Sequence, residues 1–175
     1  GIGGTGIVTL AQVLTTAAFL DGYKEVLGLD ITGMSQKAGY VSSHVRLARG
    51  KGAISAPKIP IGETTLLIAA DLVSSVDPET LMLLPPKDGN GVAVAGNDHL
   101  APTAQHVHET NLKFSQKEKK EMREVLARHS GGRPSAFVDA TFYAEKLFGD
   151  EVYSNIFLLG FAYQQGLIPI GGAKI

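Results

Sequence analysis

The chain has 175 residues, of which 44% are hydrophobic and 19% are charged, and its formal net charge is −1. This length fits one domain with its own hydrophobic core. The balanced charge excludes recruitment to nucleic acid or to an anionic membrane by bulk attraction. The sequence contains no cysteine, which excludes disulfides, catalytic thiols, thiolate zinc sites and an iron–sulfur cluster held by this chain alone.

The first 20 residues carry no charge, and about 20 mostly apolar residues suffice to span a membrane. Four of the first six are glycine, however, and Thr9, Gln12, Thr15 and Thr16 add polar groups. The stretch also lacks the basic leader of a signal peptide. We therefore expect a buried helix of a cytoplasmic protein that does not associate with a membrane.

The chain opens on a glycine-rich loop, Gly1-Ile2-Gly3-Gly4-Thr5-Gly6. Such a loop normally follows a strand and presents backbone N–H groups to an anion, so we expect either that the first strand has been cut away or that the chain is a piece of something longer. Apolar residues at helical spacing predict a helix over 7–20, and a short buried strand over 25–30 follows. Because a parallel crossover needs about a dozen residues, the strand predicted over 41–48 is expected to be antiparallel or reached by an irregular loop.

The remaining elements alternate between apolar strands and helices. Strands are predicted over 66–70, 92–95 and 136–139, and helices from 72, over 78–84, from the Ser115 cap to 130, over 141–148 and over 155–165. Glu118 is expected to complete a capping box with Ser115, and Thr141 to cap its own helix. The pattern predicts an α/β fold with three α/β/α layers, a mostly parallel sheet with one antiparallel strand, Rossmann-like, in a single domain over 1–175.

Three segments contain candidate ligand-binding residues. The glycine loop can bind phosphate or can serve close helix–sheet packing, and Asp30, at the end of the strand predicted over 25–30, is placed as the acidic residue of an NAD site would be. Gln36 and Lys37 lie in a polar loop after that strand, where they can contact an anionic substrate or dock against another subunit. Ser42, His44 and Arg46 alternate along a strand and so share one face.

Two other classes of site find no support in the sequence. No Gly-x-Ser-x-Gly elbow or other nucleophile arrangement can be assembled, so no catalytic residue is assigned. His99, His106 and His108 lack a carboxylate at a clear spacing, so no metal site is predicted.

Three blocks of sequence occur in order along the chain: the loop over 1–6, the run Asp30-Ile31-Thr32-Gly33-Met34-Ser35-Gln36-Lys37-Ala38-Gly39, and Ser43-His44-Val45-Arg46. Together they resemble the gamma-type domain of 2-oxoacid:ferredoxin oxidoreductases, most closely the indolepyruvate subclass. The closing helix over 155–160 and the turn over 166–169 match that domain as well. The resemblance covers essentially the whole chain, and it implies that the domain extends beyond both of its ends.

The resemblance implies an enzyme that oxidatively decarboxylates a 2-oxo acid, such as indolepyruvate, reduces ferredoxin and delivers the acyl group to coenzyme A. It implies that thiamine diphosphate, Mg²⁺ and [4Fe-4S] clusters are held by other domains or subunits, and that the assembly is oligomeric. This domain would shape the active-site edge or coenzyme A access and be inactive alone. The residues expected to contact coenzyme A or another anion are Gly3, Gly4, Thr5, Gly6, Gln36, Lys37, Ser43 and Arg46. An NAD(P)-binding dehydrogenase and a purely structural assembly module remain the alternatives.

Overall fold

The computed structural model describes residues 1–32, 39–86, 89–101 and 114–174. Within these ranges the chain forms an α/β fold with two sheets. The strands are β1 (Glu25–Thr32), β2 (Val41–Ala48), β3 (Leu66–Ala69), β4 (Ala93–Asn97) and β5 (Ser135–Val138). The helices are α1 (Ile7–Leu20), α2 (Leu72–Ser75), α3 (Pro78–Leu83), α4 (Gln116–Arg128), α5 (Ala140–Phe148) and α6 (Ser154–Gln164), with 3-10 turns at Glu151–Tyr153 and Gly172–Lys174.

The sheets differ in direction. β3, β4 and β5 form a parallel sheet in that order, whereas β1 and β2 form an antiparallel pair. The prediction that the strand over 41–48 is antiparallel is therefore confirmed. The expected mostly parallel sheet is present, but in the described residues the antiparallel strands form a sheet of their own.

Helices cover both faces of the parallel sheet, which gives the three layers expected from the sequence. Neighbouring residues of β4 show this, because successive strand side chains point to opposite faces. Ala95 packs into a core built by α1 and α6, and Val94 packs into a second core that includes Leu72 of α2 and Leu126 of α4. Among the described residues, no helix is long and apolar enough to cross a membrane.

The helix ends confirm one predicted cap and correct another. Ser115 and Glu118 form the reciprocal capping box at the start of α4. Thr141 is not the cap of α5: the Asp139 side chain accepts from the Phe142 N–H at 2.9 Å and caps that helix instead. Thr141 lies in the first turn, where its hydroxyl accepts a hydrogen bond from Asn97 at 3.0 Å.

Candidate functional site

A crevice of about 330 Å³ opens at the carboxyl ends of β3 and β4, beside the glycine loop. Ligands of open α/β sheets bind at this edge, where the strand order reverses or the sheet divides. The crevice is lined by Ile2, Gly4, Thr5, Ala70, Asp71, Asn97, His99, Ala101, Thr141, Asp150, Glu151, Val152, Ser154 and Asn155. Two of the predicted site residues, Gly4 and Thr5, therefore lie on its wall.

The glycine loop is shaped by its backbone. The Gly3 N–H donates to the Gly39 carbonyl at 2.8 Å, and Gly4 and Gly6 have φ angles of 86° and 87°, a region that side chains disfavour. Gly6 is the N-cap of α1, which has no side-chain cap. The loop therefore delivers an uncapped helix N-terminus to the rim of the crevice, an arrangement that suits a polar or anionic group.

A buried amide fixes the floor of the crevice. The Asn97 Nδ2 donates to the Ala70 carbonyl and to the Thr141 hydroxyl, both at 3.0 Å, and its Oδ1 accepts from the Ala140 N–H at 2.9 Å. The Asn155 Nδ2 donates in turn to the Thr5 carbonyl. The Asn97 contacts tie the end of β4 to β3 and α5, and the Asn155 contact ties α6 to the glycine loop, so the crevice is held by side chains far apart in sequence.

Asp71 follows β3 directly and is buried, with 3% of its surface exposed. One carboxylate oxygen caps α2 by accepting from the Ser74 N–H at 2.7 Å. The other, Oδ2, has no hydrogen-bond partner in the described part of the chain. Because a buried carboxylate oxygen without a donor is unfavourable, this atom is suited to accept a hydrogen bond from a ligand.

Ionisable groups on the crevice wall are mostly acidic. Asp71, Asp150 and Glu151 are on the wall, against one histidine, His99. A phosphate group placed deep in the crevice would meet like charges, whereas an uncharged group that carries hydroxyl or amide N–H donors would be favoured. The positive end of α1 at the rim is the place where the described residues favour an anion.

Ser43 and Arg46 lie on β2, and the structure gives both side chains internal partners. The Ser43 hydroxyl donates to the Asp30 carboxylate. The Arg46 guanidinium donates to the carbonyls of Ala56 and Lys58, at 3.0 and 3.5 Å. Their role in ligand binding stays a prediction, but neither side chain lines the crevice.

Arg46 belongs to a set of contacts that hold residues 52–59, here called the strap, against the β1–β2 pair. His44 lies on the same face as Arg46, and its Nδ1 accepts from the Ile59 N–H at 3.0 Å. Burial, with a smaller contribution from the positive charge of Lys58, lowers the pKa of His44. The neutral imidazole that accepts this hydrogen bond is therefore the favoured form.

The other end of the strap is held by Glu25. Its carboxylate accepts from the backbone N–H groups of Gly52, Ala53 and Ile54. These bonds, chiefly those of Gly52 and Ile54, lower the pKa of the exposed Glu25 carboxyl. The strap thus receives side chains from both strands of the pair.

Three sequence-based interpretations concern residues that lie outside the described ranges or that the fold keeps apart. Gln36, Lys37, His106 and His108 lie outside the described residues. Among those described, no three histidine, aspartate or glutamate side chains come together as metal ligands. Asp30 lies on β1, in the antiparallel pair, so it does not stand in a parallel strand beside the glycine loop as an NAD site of the usual kind requires.

The whole chain matches one protein family. The family model for pyruvate ferredoxin/flavodoxin oxidoreductase aligns with residues 1–174. The chain belongs to this family. It is also 28% identical to the indolepyruvate oxidoreductase subunit IorB of Thermococcus kodakarensis, over an alignment of 176 residues that covers 100% of this chain and 79% of that subunit. The resemblance inferred from the motifs is thereby confirmed, and the chain is part of a 2-oxoacid oxidoreductase.

Sequence reasoning missed the residues that form the body of the crevice. Asp71 and Asn97 each follow an apolar strand, at 66–70 and 93–96. A polar residue at the carboxyl end of a strand is a sequence signal for a ligand site, and it could have identified both. Asn155 and Thr141 gave no comparable signal, because their partners lie more than 40 residues away along the chain.

Proposed function

We propose that the chain is a non-catalytic domain or subunit of an enzyme that oxidatively decarboxylates an aryl pyruvate such as indolepyruvate. The substrate loses CO₂, its acyl carbon passes to coenzyme A, and its electrons pass to ferredoxin. The family match over residues 1–174 carries the reaction class. The indolepyruvate subunit that the chain resembles supports the aryl substrate.

In this proposal thiamine diphosphate, Mg²⁺ and the iron–sulfur clusters belong to other domains of the assembly. Clusters are held by cysteine thiolates, and this chain has no cysteine. The contribution of the chain is then to bind and orient coenzyme A at the edge of the active site.

Coenzyme A would lie with its uncharged pantetheine arm in the crevice. That arm carries amide N–H groups and a hydroxyl, which are donors for the unpartnered Oδ2 of Asp71. The phosphates would stay outside the acidic wall, near the start of α1. The acidic residues of the wall favour coenzyme A with its pantetheine arm inside the crevice over coenzyme A with its phosphates inside.

An exposed apolar patch beside the crevice supports a neighbouring subunit or domain. Seven large apolar side chains, each at least 45% exposed, lie on α5, on the 3-10 turn that follows it and at the start of α6. They are Phe142, Tyr143, Leu147, Phe148, Val152, Tyr153 and Ile156. Val152 also lines the crevice, so a partner seated on this patch would close one side of it. Clusters of this kind mark protein interaction sites.

The test compares two glycines in the fully assembled oxidoreductase. Gly4 on the crevice wall and Gly22 beyond the end of α1 have φ angles of 86° and 85°, and an added Cβ would meet no atom within 4 Å at either position. Alanine at either site therefore carries the same backbone strain, about 1–2 kcal/mol. Only the Gly4 side chain would project into the proposed coenzyme A path.

We expect Gly4→Ala to raise the KM for coenzyme A about tenfold, which corresponds to about 1.4 kcal/mol of lost binding. Gly22→Ala should leave that KM unchanged. Steady-state kinetics with coenzyme A as the varied substrate measure both. Equal KM values in the two variants would contradict a coenzyme A path along the glycine loop, and activity of this chain without its partners would contradict its non-catalytic role.

A further inference from the structure

The turn that leads into β4 carries an asparagine–glycine pair, Asn90-Gly91. Asn90 is exposed, whereas the other two asparagines that the structure describes are buried and hydrogen-bonded: Asn97 is 2% exposed and Asn155 is 3% exposed. Of the four asparagines in the sequence, Asn90 is also the one that a glycine follows. The pair lies ahead of β4, at the opposite end of that strand from the crevice.

The fold requires the glycine of this pair. Gly91 has a φ angle of 70°, which disfavours any residue with a side chain. A Cβ added to Gly91 would also lie 2.0 Å from the Ser130 carbonyl oxygen. The packing is equally close from Gly131, where an added Cβ would lie 2.8 Å from the Gly91 Cα. The residue after Asn90 therefore has no side chain that could shield its backbone nitrogen.

A positive charge acts on the peptide group that joins the pair. The Arg133 Nε donates to the Asn90 carbonyl at 3.2 Å, and the Gly91 N–H has no partner in the described part of the chain. When the Gly91 nitrogen loses its proton, the negative charge is shared with the Asn90 carbonyl oxygen. A guanidinium held on that oxygen stabilises the anion, so Arg133 makes the Gly91 nitrogen easier to deprotonate.

We propose that Asn90 is a site of spontaneous deamidation, promoted by Arg133. The deprotonated Gly91 nitrogen attacks the Asn90 Cγ, the Cγ–Nδ2 bond breaks, and ammonia leaves with a proton taken from water. The five-membered imide that results adds water and opens at one of its two carbonyls. Opening at Cγ gives aspartate, and opening at the backbone carbonyl gives isoaspartate. The reaction needs neither coenzyme A nor a partner subunit, so the inference is independent of the proposed function.

The two products differ in what they do to the start of β4. Aspartate adds a negative charge beside Arg133 and leaves the path of the backbone unchanged. Isoaspartate routes the backbone through the former side chain and lengthens it by a CH₂ group. Because the Gly91 backbone already packs against Ser130, the longer backbone must displace it, together with the bond from the Val92 N–H to the His129 carbonyl. We therefore expect the beginning of β4 to loosen in the isoaspartate form alone.

The first experiment follows the asparagine-containing peptides by mass spectrometry while the purified chain is kept at mildly alkaline pH. Deamidation replaces NH₂ by OH, and the change of mass identifies it. We expect conversion to run at least about tenfold faster at Asn90 than at Asn97 or Asn155, since buried groups react only after local opening. A sample unfolded in urea gives the rate without the fold. Equal rates at the three asparagines of the folded chain, or conversion of Asn90 in urea only, would overturn the proposal.

Two arginine variants isolate the role of Arg133. Arg133→Gln removes the guanidinium from the Asn90 carbonyl, and Arg128→Gln removes an exposed positive charge from the end of α4. We expect Arg133→Gln to slow the conversion about threefold, as for the loss of an exposed charge-assisted hydrogen bond, and Arg128→Gln to leave the rate unchanged. An equal effect of the two variants, or no slowing in Arg133→Gln, would show that Arg133 does not promote the reaction.

Hydrogen exchange then separates the two products. Ion-exchange chromatography isolates the deamidated chain, peptide fragmentation locates the isoaspartate at residue 90, and Asn90→Asp supplies the aspartate form directly. We expect the Val92 and Ala93 amides to exchange about tenfold faster in the isoaspartate form than in the unmodified chain, and at the unmodified rate in Asn90→Asp. Equal exchange in the three samples would contradict the loosening of β4, and faster exchange in Asn90→Asp would assign it to the added charge instead of to the longer backbone.

Discussion

Ionisable side chains lie against irregular backbone in two regions of the molecule. One is the crevice beside the glycine loop, and the other is the face of the β1–β2 pair that contacts the strap. On the β1–β2 face, Glu25, His44 and Arg46 all bind backbone groups of the strap. In the crevice, Asp71 keeps one buried oxygen without a partner in the described residues, and α1 begins there without a side-chain cap. The polar groups of the first region are therefore used within the fold, whereas the unpartnered groups of the second support the proposal that the crevice binds a ligand.

The largest effect is expected where the crevice itself depends on internal contacts. Asn97→Ala removes three hydrogen bonds and leaves the Ala140 N–H and the Ala70 carbonyl unpaired. Each unpaired buried group costs about 1–3 kcal/mol, so we expect the free energy of unfolding to fall by about 3 kcal/mol. Urea unfolding measures the change, and Asn90→Ala, at an exposed turn, is the matched control. A loss below about 1 kcal/mol would mean that the Asn97 network does not hold the crevice together.

The next prediction separates binding from stability in the same crevice. In Asp71→Asn the side-chain oxygen can still accept from the Ser74 N–H and cap α2. The NH₂ group then takes the place of Oδ2, the oxygen without a partner. Because asparagine caps helices as well as aspartate, the stability should change little. The KM for coenzyme A in the assembled enzyme should rise about tenfold, or about 1.4 kcal/mol. Asp77→Asn repeats the exchange at the α3 cap, outside the crevice, and should leave the KM unchanged. A similar KM for all three proteins would remove Asp71 from the binding site.

On the β1–β2 face the expectation is reversed. Arg46→Ala removes the hydrogen bonds to the Ala56 and Lys58 carbonyls, and we expect a loss of about 1 kcal/mol in the free energy of unfolding. Hydrogen exchange should show faster opening of the strap, while the KM for coenzyme A stays the same. If that KM rises with no change in the strap, Arg46 is a ligand contact, as the sequence-based prediction has it, and the division between the two regions fails.

Local sequence patterns predicted the elements better than they predicted the crevice. α1 and the Ser115–Glu118 capping box depend on spacings of three or four residues, which are visible in the sequence. The α5 cap was wrong because both Asp139 and Thr141 are good capping residues and only the fold decides between them. Asn97 pairs with residues 27 and 43–44 positions away, so its role depends on sheet topology, which short patterns do not encode.

The smallest effect concerns the pH dependence of the strap. The pKa of His44 is lowered in the folded protein, first by burial and then by Lys58, so below the usual value of 6.5 the unfolded chain takes up a proton that the folded chain resists. The contribution of His44 is therefore fully present above about pH 6.5 and is lost as the pH falls below that value and through the lowered pKa of the folded state. His44→Asn keeps an acceptor for the Ile59 N–H but cannot titrate, so its stability should fall less over that range. Lys58→Ala should also reduce the fall, by a smaller amount, because the folded pKa then moves back toward its usual value. Thermal unfolding at pH 5, 6 and 7 distinguishes the three proteins, and parallel curves for all of them would show that the strap carries no histidine-dependent stability.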